Sequence, residues 1–200
     1  MTRIETVEAL EALYGAPGEA SLVKVTDRLT TAYRSWIERS RFLVISTVGP
    51  EGVDGSPRGD NGPVVDIADA QTLLLPDWRG NNRIDTLRNI VRDPRVALMF
   101  FVAGSNNVIR VNGTAVITGD PDITRRFEQR GKHPRSVIVV TTREVYSQCA
   151  RALMRSELWT AGDLSAGLPS VGDMLAEAKA GFDGAGYDAG WVARAEDSMW

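Results

Sequence analysis

The stretch Leu73–Phe101, LLLPDWRGNNRIDTLRNIVRDPRVALMFF, constrains the fold more than any other part of this 200-residue chain. It reads as a strand, a polar basic turn, a short helix and an apolar strand. Residues 82–92 place Ile84, Leu87 and Val91 on one side of the helix. Asp93-Pro94 ends it, because the residue before a proline is pushed out of the helical region. Val96–Val102 is apolar on both faces, as in a strand buried inside a barrel or at a subunit interface. Further strands fall at about 41–48, 53–57, 63–67, 71–76, 107–118 and 136–142, with Gly49-Pro50-Glu51-Gly52 as one of the intervening turns. Strands so closely spaced predict antiparallel pairing and a barrel, in a mainly β chain of the α+β class with flanking helices.

The turn at 79–83 carries Arg79, Asn81, Asn82 and Arg83 where a helix begins. A helix start leaves backbone N–H groups without intrahelical partners, and the helix dipole adds partial positive charge there. Arginine adds a planar fork of donors that grips phosphate oxygens two at a time. An anionic ligand, above all a phosphate, suits this combination; the competing reading is that Asn81 or Asn82 caps the helix and the arginines face water. A second element, VDGSPRGD at 53–60, ends an extended segment with Arg58. Gly59 after it lets the backbone approach a ligand closely, and Asp60 is placed to orient Arg58 or a ligand hydroxyl.

Taken in order, SPRGD, LLLPDWRGNNR, a helix, DPRVALMFF and IRVNGTAVI resemble the pyridoxamine 5′-phosphate oxidase-like family of FMN-binding split barrels. The likeness covers residues 41–118 well and 136–159 more loosely, and is nearest to a branch of bacterial flavoproteins carrying the SPRGD and RGNNR motifs. It implies a split antiparallel β-barrel, FMN as cofactor, and a homodimer with the flavin at the subunit interface. Under it, Arg58 resembles the arginine that contacts the flavin phosphate, with Gly59 and Asp60 beside it. Arg79, Asn81, Asn82 and Arg83 resemble the second half of the phosphate and ribityl grip. Pro76, Asp77 and Trp78 would lie beside the isoalloxazine ring, and Arg110 on a later strand near the cofactor. Arg155, Ser156 and Trp159 are the residues a partner subunit would contribute.

Two departures limit what the resemblance implies. After the phosphate arginine the family's oxidases have a strand of the type RMVLLK, whereas this chain reads RGDNGPVV with no matching lysine. Their C-terminal substrate segment pairs arginine with histidine, whereas GWVARAEDSMW has Arg194 and no histidine. The cofactor half of the likeness survives and vitamin B6 oxidation is not implied. The expected function is an FMN-dependent oxidoreductase acting on a small molecule. The alternatives are a non-catalytic flavin-binding or stress-response protein, or a reductase using the deazaflavin F420; haem is disfavoured because His133 makes a poor axial ligand.

The flanks read as extensions of one domain spanning 1–200: a helical N-terminal part to about residue 40, a barrel core at 41–159 and a C-terminal part at 160–200. Val7, Leu10, Leu13 and Tyr14 recur at helical spacing. Asp27 is placed to cap a second helix whose stripe of Leu29, Tyr33, Trp36 and Ile37 suits core packing. Asp120-Pro121 opens another helix, Ser147–Arg155 reads as a helix, and 160–170 is a Gly-, Ala-, Ser- and Pro-rich linker. A short helix is expected at about 171–180, with the tail beyond Gly181 ordered against a neighbouring subunit.

A net charge of −3 argues against a whole-protein role on nucleic acid, and the arginines at 79–135 are interleaved with acids as on solvated helix faces. The single cysteine, Cys149, excludes an internal disulfide framework and reads as a buried, inert thiol. No signal-peptide pattern or membrane-length apolar run occurs, which predicts a cytoplasmic setting without membrane association. His133, in a loop, has no triad companions, and nothing has zinc-ligand spacing, so no metal site is expected. No catalytic side chain can be named, as befits a protein whose reactive group is a bound flavin.

Overall fold

The computed structural model describes residues 1–200. In chain order the elements are helices α1 (Val7–Tyr14), α2 (Glu19–Val23) and α3 (Thr31–Ile37), then strands β1 (Phe42–Gly49), β2 (Gly52–Gly59), β3 (Asp66–Ile67) and β4 (Thr72–Asp77). Helix α4 (Asp85–Arg92), strands β5 (Arg95–Phe101) and β6 (Val108–Thr118), helix α5 (Pro121–Thr124) and strand β7 (Ser136–Gln148) follow. The C-terminal part holds α6 (Arg151–Arg155), α7 (Val171–Ala178), α8 (Gly184–Ala189) and α9 (Trp191–Ser198).

All seven strands form one antiparallel sheet in the order β2-β1-β5-β6-β7-β4-β3. The edge strands β2 and β3 do not pair with each other, so the barrel is split rather than closed. Alternation along the strands sets the inner face. Leu43 and Ile45 of β1, Leu98 and Phe100 of β5, Ile109 and Val111 of β6, Leu73 and Leu75 of β4, and Ile138 and Val140 of β7 are all buried together, with Ile37 of α3 among them. On the outer face of the same strands Val44, Met99, Arg110 and Tyr146 are half-exposed, whereas Leu74, Val108 and Val137 are buried. Strand β5 therefore has one buried face and one half-open one, rather than two buried faces.

Helix α4 lies against β1 through a polar contact: buried Asn89 donates from Nδ2 to Thr47 Oγ1 at 3.1 Å. Gly49 makes this approach feasible, since a Cβ there would fall inside the Asn89 amide. The buried side of α4 is thus Thr86, Asn89 and Ile90, with Leu87 partly covered, while Ile84 and Val91 are exposed. This corrects the stripe expected from apolar spacing. A satisfied Asn89 takes a core position that periodicity alone assigns to a hydrophobe.

Three boundaries also differ from expectation. Thr30, not Asp27, caps α3, its side chain accepting from Tyr33 N–H; Leu29 and Ile37 are buried and Tyr33 and Trp36 pack against the core, as the stripe requires. Strand β7 continues to Gln148 because β6 is long enough to pair with it beyond a bulge at Asn112/Gly113, so the following helix begins only at Arg151. Cys149, placed just after that strand, is exposed rather than buried. The tail beyond Gly181 forms α8 and α9 within the chain itself. No helix is long and apolar enough to cross a membrane.

Candidate functional site

The split between the edges of the sheet is where the basic motifs meet. In register, Arg58 stands opposite Leu43 and so projects toward the inner face, at the rim of edge strand β2. Asp77 ends β4 opposite Ser136 and projects inward from the other side. The curl of the sheet brings Arg58 Nη2 within 3.7 Å of Asp77 Oδ1, although their strands are not neighbours. Arg58 Nη1 also donates to Ser56 Oγ at 2.5 Å and to the Pro57 carbonyl at 3.1 Å. Its Nε is buried with no acceptor. A buried guanidinium N–H without a partner is costly, and a ligand oxygen is the group that would satisfy it. Burial raises the Asp77 carboxyl above the ordinary carboxylate range, and the Arg58 charge pulls it partway back.

The loop after β4 winds tightly. Asn81 Oδ1 accepts from Arg83 N–H at 3.0 Å, forming an Asx turn, and Asn82 and Ile84 both sit at left-handed φ, 59° and 51°. Neither asparagine caps the helix. Ile84 holds the N-cap position with no side-chain bond to give, so the helix begins at Asp85 rather than at residue 82. The backbone N–H groups of Asp85, Thr86 and Leu87 consequently find no acceptor in the chain. A β-branched residue held left-handed is strained, and such strain gathers at functional loops. Arg83 folds back onto the Asp85 carboxylate, whereas Arg79 makes no ion pair.

These groups line a cavity of about 800 Å³. The loop at 132–136, with Lys132, His133 and Arg135, lines the same cavity. Five cations border the space (Arg58, Arg79, Arg83, Lys132, Arg135) against three carboxylates (Asp54, Asp77, Asp85), an excess of two positive charges. His133 Nδ1 faces the Phe127 carbonyl at 2.6 Å, which leaves Nε2 as its remaining ring nitrogen. A second cavity of about 770 Å³ adjoins the first and shares Arg58, Asp77, Trp78, Arg79, Gly80 and Trp200 with it. Gly59, Asp60 and Pro76 line only this second space. Asp60 does not orient Arg58. Its Oδ2 accepts from Trp78 Nε1 at 2.7 Å and its Oδ1 from Gln129 Nε2 at 2.9 Å, so it anchors the indole between the chambers.

The structure therefore gathers Arg58, Gly59, Asp60, Pro76, Asp77, Trp78, Arg79, Asn81, Asn82 and Arg83 around one groove. It does not bring Arg110 there: that side chain is on the outer face of β6, 5.1 Å over the Tyr146 ring, with a buried Nε lacking a partner. Arg155, Ser156 and Trp159 also lie outside the groove. Trp159 Nε1 donates to the Ser105 carbonyl at 2.7 Å and Ser156 Oγ to the Leu153 carbonyl. Sequence reading missed Lys132, Arg135 and Trp200. The first two sit in a loop without periodicity; Trp200 comes from the far end of the chain.

Comparison with known proteins bears on the same region. Residues 29–149, more than half of the chain, match the family of pyridoxamine 5′-phosphate oxidase. No curated protein matches the sequence. Among solved structures, HupZ of Group A Streptococcus is similar at a TM-score of 0.50 and 16% identity, covering 60% of this chain and 93% of HupZ. A putative pyridoxamine 5′-phosphate oxidase from Lactobacillus delbrueckii is similar at 0.48 and 22%, covering 60% and 95%. An FMN-binding protein from Syntrophomonas wolfei follows at 0.44 and 15%, covering 58% and 88%. At such identities the HupZ likeness speaks for a shared fold alone.

Proposed function

The chain belongs to the pyridoxamine 5′-phosphate oxidase family, and on that premise we propose that it binds FMN and acts as an FMN-dependent oxidoreductase on a small organic molecule. The observation that carries this reading is the charge of the first chamber. Its excess of two positive charges matches a phosphate monoester, which carries about −1.5 to −2 at neutral pH. The uncapped amides of Asp85–Leu87 and the unsatisfied Nε of Arg58 add donors of the kind a phosphate takes. A volume of about 800 Å³ lies within the range of ligand pockets.

Arg58, Arg79 and Arg83 would hold the phosphate, with Lys132 and Arg135 adding positive charge to the same cavity. Arg58 is held ready by Ser56 and Asp77, so little side-chain freedom is lost on binding. Asp77 and the anchored Trp78 would border the ring. Bound FMN supplies the redox chemistry, with a nicotinamide or other reductant as electron source, and the chain need contribute no acid or base. A homodimer belongs to the same proposal. Arg155, Ser156 and Trp159 are exposed and line neither chamber of their own groove, so in this reading they would meet a flavin across a subunit boundary. The half-exposed part of the sheet's outer face is available for that contact.

The test is the visible absorption spectrum of the purified protein, followed by FMN titration of wild type and Arg83→Ala. Arg83 is exposed, so the variant should fold. Loss of one charge-assisted contact, about 1.5–3 kcal/mol, should weaken FMN by roughly 10- to 100-fold. Unchanged affinity in the folded variant would remove the phosphate assignment. A protein that ignores FMN altogether would make F420, whose phosphate suits the same cations, the next ligand to titrate. A flavin that binds but is neither reduced by NADH or NADPH nor reoxidised would favour a non-catalytic role.

A further inference from the structure

The second chamber is comparable in size with the first, about 770 Å³ against 800 Å³. Its make-up is different. Buried Val64, Leu75 and Pro76 give it an apolar floor at the rim of the barrel. Two arginines reached only from this side, Arg41 and Arg130, are exposed and form no ion pair. Among the charged groups that line this chamber alone, they stand against one carboxylate, the already committed Asp60, leaving an excess of one positive charge, the complement of a single carboxylate.

The wall between the chambers is aromatic. Trp78, tied at its N–H by Asp60, meets the Trp200 ring at a centroid distance of 5.4 Å and an interplanar angle of 88°. Trp200 is held in turn by Lys132 Nζ, which donates to its main-chain oxygen at 3.1 Å. Met199 lines the second chamber only. These two residues lie well beyond the family match, which ends at residue 149. The corner of two perpendicular indoles offers a flat face and an edge to a planar ring. Unpaired arginine forks above an apolar floor match a carboxylate attached to such a ring.

We propose that the second chamber is a separate binding site for a planar aromatic carboxylate, the class of molecule on which a flavin held in the first chamber would act, and that Trp200 and Arg130 determine its specificity. The role given to that molecule rests on the FMN reading; the site itself does not.

The experiment uses the full-length protein and anthranilate, a fluorescent aromatic carboxylate, titrated with and without saturating FMN. Anthranilate should bind in both conditions. Arg130→Ala and Trp200→Ala should each weaken it by about 10-fold or more, with FMN affinity unchanged in Arg130→Ala, whose side chain lines only the second chamber, and aniline, which lacks the carboxylate, should bind at least as weakly as anthranilate binds to Arg130→Ala. Trp200→Phe should restore most of the loss. Mole-for-mole displacement of anthranilate by FMN would overturn the proposal, because the chamber would then be part of the flavin's own site. Absence of binding, or binding indifferent to both alanine substitutions, would overturn it as well. Anthranilate binding with the expected losses in a protein that takes no FMN would uphold the second site while removing the flavin reading.

Discussion

At the scale of single residues, Asp60 has a role that its neighbours in sequence do not suggest. Next to Arg58 and Gly59 it reads as a partner for the arginine, yet both its oxygens are spent on Trp78 and Gln129. An Asp60→Ala variant should leave a half-buried indole N–H and an amide without their acceptor. The expected cost is about 1–3 kcal/mol, visible as a lower denaturant midpoint and a shift in tryptophan emission as Trp78 loosens. Asp60→Asn keeps one acceptor oxygen and should lose less. Wild-type stability and emission in Asp60→Ala would show that Trp78 is held by packing alone. The arginines were legible for the opposite reason: Arg58, Arg79 and Arg83 sit beside glycine, asparagine and a helix start, a local pattern with direct physical meaning. Lys132 and Arg135 carry no such signal, because only the fold brings their loop to the same cavity.

At the scale of elements, the strands were readable from alternation and turn residues, and the order strand, turn, helix, strand at 73–101 holds in the structure. The start of α4 was not. Asn82 looks like a cap, and no propensity rule places Ile84, a β-branched residue, at φ 51° in the cap position. Where α4 sits is fixed elsewhere, by Asn89 on Thr47 and by the space that Gly49 leaves. Gly49→Ala should therefore act at a distance. A Cβ there collides with the Asn89 amide, and overpacking of this kind costs about 1–3 kcal/mol. If α4 shifts to relieve the clash, the free amides of Asp85–Leu87 shift with it. Thermal unfolding should show the lost stability, and FMN titration should show weaker binding although Gly49 does not line the chamber. Lost stability with unaltered FMN affinity would mean that Asn89 yields and the helix stays in place.

At the scale of the whole molecule, the barrel and the C-terminal extension are coupled through the site rather than through the core. The 19-residue core cluster contains nothing beyond Val145. The extension is held together by its own contacts, chiefly the crossing of α7 and α8, where Gly172 and Gly184 approach so closely that a Cβ on either would fall on the other's carbonyl. Asp188 completes the crossing by accepting from Gly172 N–H at 2.9 Å. Such an approach requires glycine for space, not for backbone conformation. Gly172→Ala should force α7 and α8 apart and unseat α9, drawing Trp200 away from Trp78 while the barrel keeps its full complement of buried side chains. The unfolding midpoint of the barrel should hold, protease cleavage in the 160–170 linker should speed up, and the exciton signature of the Trp78–Trp200 pair in circular dichroism should vanish. Under the FMN reading the phosphate is held mainly from β2, the 79–83 loop and α4, with Lys132 and Arg135 also lining the chamber, so FMN affinity should fall far less than that for anthranilate, which should be lost as it is in Trp200→Ala. Equal losses of both ligands would mean that the extension supports the whole groove and not only its second chamber.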